Sequence, residues 1–153
     1  MTVIGIDPGP EESAYVMWNG TVIMAYGKLQ NFAVVELLKL KDAADHCVIE
    51  KIASFGMPVG AEVFETVYWS GIFAHAFGLE RVSRITRIAV KNHLCHSSRA
   101  KDGNIRQALI DRFGGEKAIG RKATPGPLYG IAGDEWSALA VAVTWYDQSP
   151  TAL

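Results

Sequence analysis

Two apolar runs in this chain each stop on a carboxylate: Val3-Ile4-Gly5-Ile6-Asp7 and Cys47-Val48-Ile49-Glu50. Short, nearly continuous apolar runs read as strands covered on both faces, and such strands pair in parallel. Parallel pairing needs a long crossover, usually a helix. The sequence supplies one over residues 31–44, with Asn31 as its N-cap and Phe32, Val35, Leu38 and Ala43 on its apolar side. The pattern therefore requires an α/β layout in which Asp7 and Glu50 end strands one sheet position apart. A third carboxylate, Asp134, opens an apolar helix over residues 134–146. Carboxylates gathered from strand tips and a helix start suit hard divalent cations held over phosphate esters. Oxygen ligands fit Mg²⁺ or Mn²⁺, and two such ions stabilise both the attacking and the leaving oxygen. This constellation points to a metal-dependent nuclease.

The rest of the chain fits around that frame. Residues 13–18 and 21–29 read as a hairpin across Asn19-Gly20. A loop over 54–58 leads into a long helix over 60–77, ended by Gly78. A short strand over 81–85 and a short helix over 88–94 follow. Residues 96–102 form a basic loop and residues 104–113 an amphipathic helix. Residues 115–132, rich in glycine and carrying Pro125 and Pro127, are expected to be irregular and mobile. No linker or repeat divides the 153 residues, so residues 1–153 are expected to form one domain.

A net charge of −1 hides an uneven distribution. Residues 1–80 hold four Lys/Arg against ten Asp/Glu, whereas residues 81–122 hold eleven against three. An acidic part beside a basic one suits an enzyme that holds cations next to a polyanion. The plainer alternative is a solvated basic helix face with loops. Cys47 and Cys95 lack CxxC spacing, which fits reduced thiols in a cytoplasmic setting. No apolar stretch reaches the roughly 18 residues of a membrane span, and no signal peptide is expected. In that setting the sequon Asn19-Gly20-Thr21 carries no weight.

Taken in order, four segments resemble RuvC-type Holliday junction resolvases. They are Ile4-Gly5-Ile6-Asp7-Pro8-Gly9, Val48-Ile49-Glu50, Val90-Lys91 before a basic loop, and Asp134 ahead of Ser137-Ala138-Leu139-Ala140-Val141-Ala142. The compact form, with Val90-Lys91-Asn92-His93-Leu94-Cys95 and Ala100-Lys101-Asp102, is most similar to bacteriophage-encoded members, which act in the host cytoplasm. The resemblance implies an RNase H-like fold with a mixed five-stranded sheet flanked by helices. It also implies a homodimer that nicks four-way or branched DNA in pairs, with Mg²⁺ (or Mn²⁺ in its place), leaving 5′-phosphate ends. Asp7, Glu50 and Asp134 carry over as catalytic metal ligands.

By the same resemblance Lys91 and Lys101 are candidates to neutralise the scissile phosphate, Lys101 displaced by one residue from the usual spacing. Phe55, offset by two positions, corresponds to an aromatic that wedges between unpaired bases. Arg99 and Arg106 suit backbone clamps. One departure stands out. The family usually places a second acid three residues after the first on the last helix, and here that position is Ser137. The extra acid is Glu135, rotated by roughly 100°. It either bends inward as a fourth metal ligand or only favours the helix N-terminus, and Ser137 either acts through a bound water or not at all.

Each candidate has a plainer role to set beside it. Asp7 suits a turn before Pro8-Gly9, Glu50 an exposed sheet edge, and Asp134 a helix N-cap. Phe55 and the Trp69/Phe73/Phe77 stripe suit the core, the stripe also a dimer interface. Lys91 and Lys101 suit surface solubility. His93 and His96, three apart, suit a transition metal, a phosphate contact or an ordinary surface pair. Among rival functions, an actin-like ATPase or sugar kinase needs two such domains and many more residues. An RNase H-fold nuclease for hybrids or flaps, and a catalytically silent junction binder, stay open.

Overall fold

Seven strands and five α-helices follow one another in the computed structural model, which describes residues 1–40 and 42–150. Lys41, within the helix expected over 31–44, and residues 151–153, within the expected domain, lie outside the described residues. The strands of the main sheet are β1 (Val3–Asp7), β2 (Glu12–Trp18), β3 (Ile23–Gln30), β4 (His46–Lys51) and β5 (Val82–Thr86). They lie in the order β3-β2-β1-β4-β5. The first three form an antiparallel meander, and β1, β4 and β5 pair in parallel. The helices are α1 (Asn31–Leu38), α2 (Ala61–Phe77), α3 (Arg87–Cys95), α4 (Asp102–Arg112) and α5 (Glu135–Gln148).

Side-chain alternation divides the core in two. Ile4, Ile6, Cys47 and Ile49 face α1 and α2, where they meet Val34, Val35, Leu38, Phe73 and Phe77. Val3, Val48, Ala14 and Val16 face the other way, onto α5 and the α3–α4 pair. A strand covered on both faces has no polar side, which is why β1 and β4 read as unbroken apolar runs.

Several local expectations are corrected. The helix α1 stops at Leu38 rather than running on to residue 44. Phe32 points outward at 77% exposure, and Val34 takes its place in the core. Asn31 is the first helical residue and makes no cap bond; its side chain works elsewhere, as described below. The β2–β3 connection spans residues 19–22, longer than a two-residue turn. Asn19 Oδ1 accepts from the N–H groups of Thr21 and Val22 there (3.0 and 2.8 Å). The helices α3 and α4 begin one and two residues earlier than expected.

Residues 115–132 are also more regular than their composition suggests. They include a small hairpin, β6 (Gly120–Arg121) with β7 (Thr124–Pro125). Ala118, Leu128 and Ile131 are buried. Leu128 N–H bonds Ala118 O at 2.8 Å, and Gly126 N–H bonds Ile119 O at 2.9 Å. Buried anchors and backbone bonds at its base hold this glycine-rich segment in place.

The contact that positions the site is that of α5 on β1. A Cβ added at Gly5 would lie 2.0 Å from the Ala138 carbonyl oxygen and 2.9 Å from the Ala142 methyl. Only a residue without a side chain lets α5 lie this close. We expect Gly5→Ala to push α5 away from the sheet and lower unfolding free energy by about 1–3 kcal/mol. Denaturant titration reads this as a lower midpoint at unchanged slope, and an unshifted midpoint would show that the helix is not seated on Gly5.

Candidate active site

Period-two alternation decides where the acids point. Asp7 follows Gly5 by two residues on β1, and Glu50 follows Val48 by two on β4, so both lie on the α5 face. The register pairs Gly5 with Val48 and Ile6 with Ile49. The next rung places Asp7 beside Glu50, and their carboxyl groups share a hydrogen bond. Glu50 is 7% exposed, so neither a sheet-edge nor a solvated role describes it. Burial, above all, pushes the Asp7 carboxyl up to about 8, helped by the Glu50 hydrogen bond and by repulsion from Glu50 and Asp134. At neutral pH the Asp7 carboxyl therefore keeps its proton.

The turn that follows Asp7 is held from below. Gly9 N–H donates to Ser13 Oγ (3.1 Å), Ser13 Oγ–H donates to Asn31 Oδ1 (2.7 Å), and Asn31 Nδ2 donates to Gly9 O (3.0 Å). Ser13 and Asn31 are both buried, so this closed ring fixes the Pro8–Pro10 backbone and, with it, the end of β1.

Asp134 stands immediately before α5 and makes no capping bond with its side chain. Its Oδ2 instead accepts from Lys28 Nζ at 2.8 Å. The register explains the reach: Asp7 pairs with Ala14, and Ala14 with Lys28, so Lys28 crosses over a small methyl toward the acids. Both partners are about half exposed, at 45% and 53%. An ion pair of that kind contributes no more than about 1 kcal/mol and opens readily.

A second base lies deeper. Arg87 follows Ile85 by two residues and continues the same face past the end of β5. Its Nη1 donates to Glu50 Oε1 (3.1 Å) and to Ser137 Oγ (3.2 Å). Its Nη2 pairs with Asp102, the first residue of α4. Arg87, Asp102, Arg106, Asp134, Trp136 and Ser137 are among the residues that line a cleft of about 500 Å³ beside the acid pair. The Arg106 guanidinium lies over the Trp136 ring, 5.0 Å from its centroid.

Among the described residues, no three carboxylate, His or Cys side chains stand together as a ready-made cation site. Arg87 holds Glu50 and Lys28 holds Asp134, so two of the three acids already face bases within the chain. The donors nevertheless suit a hard divalent cation. Asp7, Glu50 and Asp134 offer only oxygen, and a cation would relieve the mutual repulsion that raises Asp7.

The other candidates are distributed as follows. Glu135 Oε2 accepts from Ala132 N–H (2.9 Å), so this carboxylate folds back onto the entry to α5 and does not join the Asp7–Glu50 pair. Phe55 sits at the tip of the loop after β4 with φ 51° and 65% exposure, away from the core. Arg106 lines the cleft; Lys91, one turn beyond Arg87 on α3, does not, nor do the exposed Arg99 and Lys101. Phe73 and Phe77 are core residues. His93 bonds Asp147 (2.7 Å), so it is engaged on α5 and not paired with His96. Sequence reasoning missed Arg87, Lys28 and Asp102 as parts of this site. Arg87 carried a usable signal, because it keeps the alternation of Ser83 and Ile85.

No protein-family model matches the sequence. No curated protein matches it either. Solved structures do. Thermus thermophilus RuvC aligns with a TM-score of 0.66 at 17% identity, over 97% of this chain and 96% of that one. The T. thermophilus RuvC in complex with a Holliday junction substrate aligns with a TM-score of 0.66 at 18% identity, over 94% and 92%. At such identity the likeness speaks for the fold: the mixed five-stranded sheet with its flanking helices is a RuvC-like, RNase H-like α/β fold.

The raised Asp7 carboxyl fixes the sign of a pH effect. Between its ordinary value of 3.8 and about 8 the folded chain holds a proton that the unfolded chain has lost. Stability should therefore fall as pH rises through this window, by up to about 1.4 kcal/mol per pH unit for one proton. Asp7→Asn has no such proton. In chelator-treated buffer we expect it to be more stable than the parent near the alkaline end, with the gap closing toward the acid end. Parallel stability curves for the two proteins would show that the acid pair is not strained.

Proposed function

We propose that this chain is a divalent-metal-dependent endonuclease that nicks branched DNA, four-way junctions above all, as a homodimer. The observation that carries the reading is the Asp7–Glu50 pair, Glu50 buried and Asp7 partly so, with Asp134 beside it, on a fold shared with a protein solved on a Holliday junction substrate. Bound Mg²⁺ or Mn²⁺ would supply Lewis acidity at the scissile phosphate and a water of lowered pKa. Asp7, Glu50 and Asp134 would hold it. To do so Asp7 would release its proton, and Asp134 would exchange Lys28 for the cation. In the reaction a water oxygen joins phosphorus and the bond to the 3′ oxygen breaks. That oxygen takes a proton, and the phosphate stays on the 5′ end.

The remaining residues serve binding. Arg106 sits in the cleft wall beside the acids, and Arg99, Lys101 and Lys91 extend the positive surface. Phe55 offers an exposed ring on the loop that leaves β4. Phe32, Phe64, Val67 and Tyr68 are exposed together on α1 and α2. This apolar area lies across the sheet from the cleft and suits a second copy, which paired nicking requires. Ser137 favours one rival reading: without a fourth acid the chain would bind junctions and leave them uncut.

Cleavage of a synthetic four-way junction, with and without Mg²⁺, decides between them. We expect metal-dependent nicks, and we expect Asp7→Asn to lose cleavage while binding the junction as well or better. Binding without nicking by the parent supports the silent binder, and preference for RNA–DNA hybrids supports a general RNase H-fold nuclease. Junction affinity should also fall steeply with salt. Replacing Arg99 and Lys101 by Ala should lower the log–log slope by about one for each phosphate that these side chains neutralise. Phe55→Ala should weaken junction binding by about 1–3 kcal/mol with little change on linear duplex. A salt-independent affinity would remove residues 81–122 from the DNA face.

A further inference from the structure

Within the nuclease reading, we infer that this site works with one divalent cation, the Arg87 guanidinium standing where a second would be held. A two-cation site needs ligands on both sides of its bridging carboxylate. One helical turn beyond Asp134, on the same side of α5, the chain places Ser137. Its hydroxyl is neutral and is already occupied by Arg87 Nη1 at 3.2 Å. The same nitrogen lies 3.1 Å from Glu50 Oε1. A cation bound by that Glu50 oxygen and Ser137 would press directly against a fixed positive charge.

The two bases of the site differ in how readily they give way. Lys28 and Asp134 meet in solvent, so a cation displaces that lysine at little cost. Glu50, by contrast, has a side chain only 9% exposed. Removing Arg87 from it would leave a buried charge without its partner. Lys28 yields and Arg87 stays.

Arg87 also faces the right way to take over part of what a second cation does. Its outward nitrogen holds Asp102, whose side chain is 82% exposed at the mouth of the cleft. A phosphate oxygen can replace that loosely held carboxylate while the inner nitrogen keeps Glu50 and Ser137. A planar guanidinium held in this manner presents fixed charge to a phosphate without further reorganisation. Asp102 occupies the phosphate position until DNA arrives.

Counting bound Mn²⁺ tests this apart from activity. The full-length protein is titrated with Mn²⁺, and free Mn²⁺ is followed by electron paramagnetic resonance. One Mn²⁺ per chain is expected for the parent. Ser137→Asp combined with Arg87→Ala should bind two. Two per parent chain overturns the one-cation inference and leaves the nuclease reading standing, whereas none overturns both. A well-folded double variant that still binds one also overturns the inference. The parent count needs no variant, so a double variant that fails to fold does not rescue it.

Discussion

Two carboxyl groups, side by side at the ends of neighbouring parallel strands and largely removed from water, are the constraint to which the rest of the site answers. Buried like charges cannot both ionise freely, and here burial and the neighbouring Glu50 hold the proton on Asp7. Around them the chain arranges compensation at graded depth. Arg87 neutralises Glu50 from within, and Lys28 meets Asp134 at the surface. Arg87 also holds Asp102, so two bases and the proton on Asp7 offset most of the charge of the four acids. Such a site can exist before any cation reaches it, and it retains one acid, Asp134, that is loosely enough held to move.

The geometry behind this is cheap in residues. Gly5 has no side chain, so α5 lies directly on β1 and brings residues 134 and 137 over the strand ends. Ser13 and Asn31 tie the turn after β1 to the start of α1 and keep Asp7 from swinging with its loop. Neither device is an acid or a base. Both determine how far apart the acids stand.

What could be read from the sequence follows the same division. The strands β1 and β4, their parallel pairing and the facing of Asp7 and Glu50 were legible, because burial on both sheet faces leaves an unmistakable apolar run. The long helix α2 and its stop at Gly78 were legible for similar reasons. Phe32 was misjudged because helical spacing fits two neighbouring faces equally well, and tertiary contact with the sheet chose Val34 and Val35. The segment 115–132 was misjudged because composition does not show where Ala118, Leu128 and Ile131 are buried. Asn31 looked like a cap, but its amide is spent on a turn 22 residues earlier in sequence. Arg87 was hidden by its setting. It falls in a run of bases that reads as a surface patch, and only the strand register shows it entering the acid cluster.

The two sides of the sheet then divide the work proposed for this chain. The α1–α2 side carries the exposed aromatics, and the α3–α5 side carries the cleft with Arg106 and the acids. Joining two copies through the first leaves the second open to DNA. Phe55 links the two. It lies five residues beyond Glu50, and an extended chain covers at most about 3.6 Å per residue, so the two Cα atoms lie within about 18 Å of each other. Within that reach, on the proposed reading, one phosphate would lie at the acids while a nearby base meets the ring. A junction offers unstacked bases near its crossover, and a linear duplex does not. On the proposed reading, selectivity for branched DNA requires no reading of sequence, only an exposed ring within reach of the carboxylates.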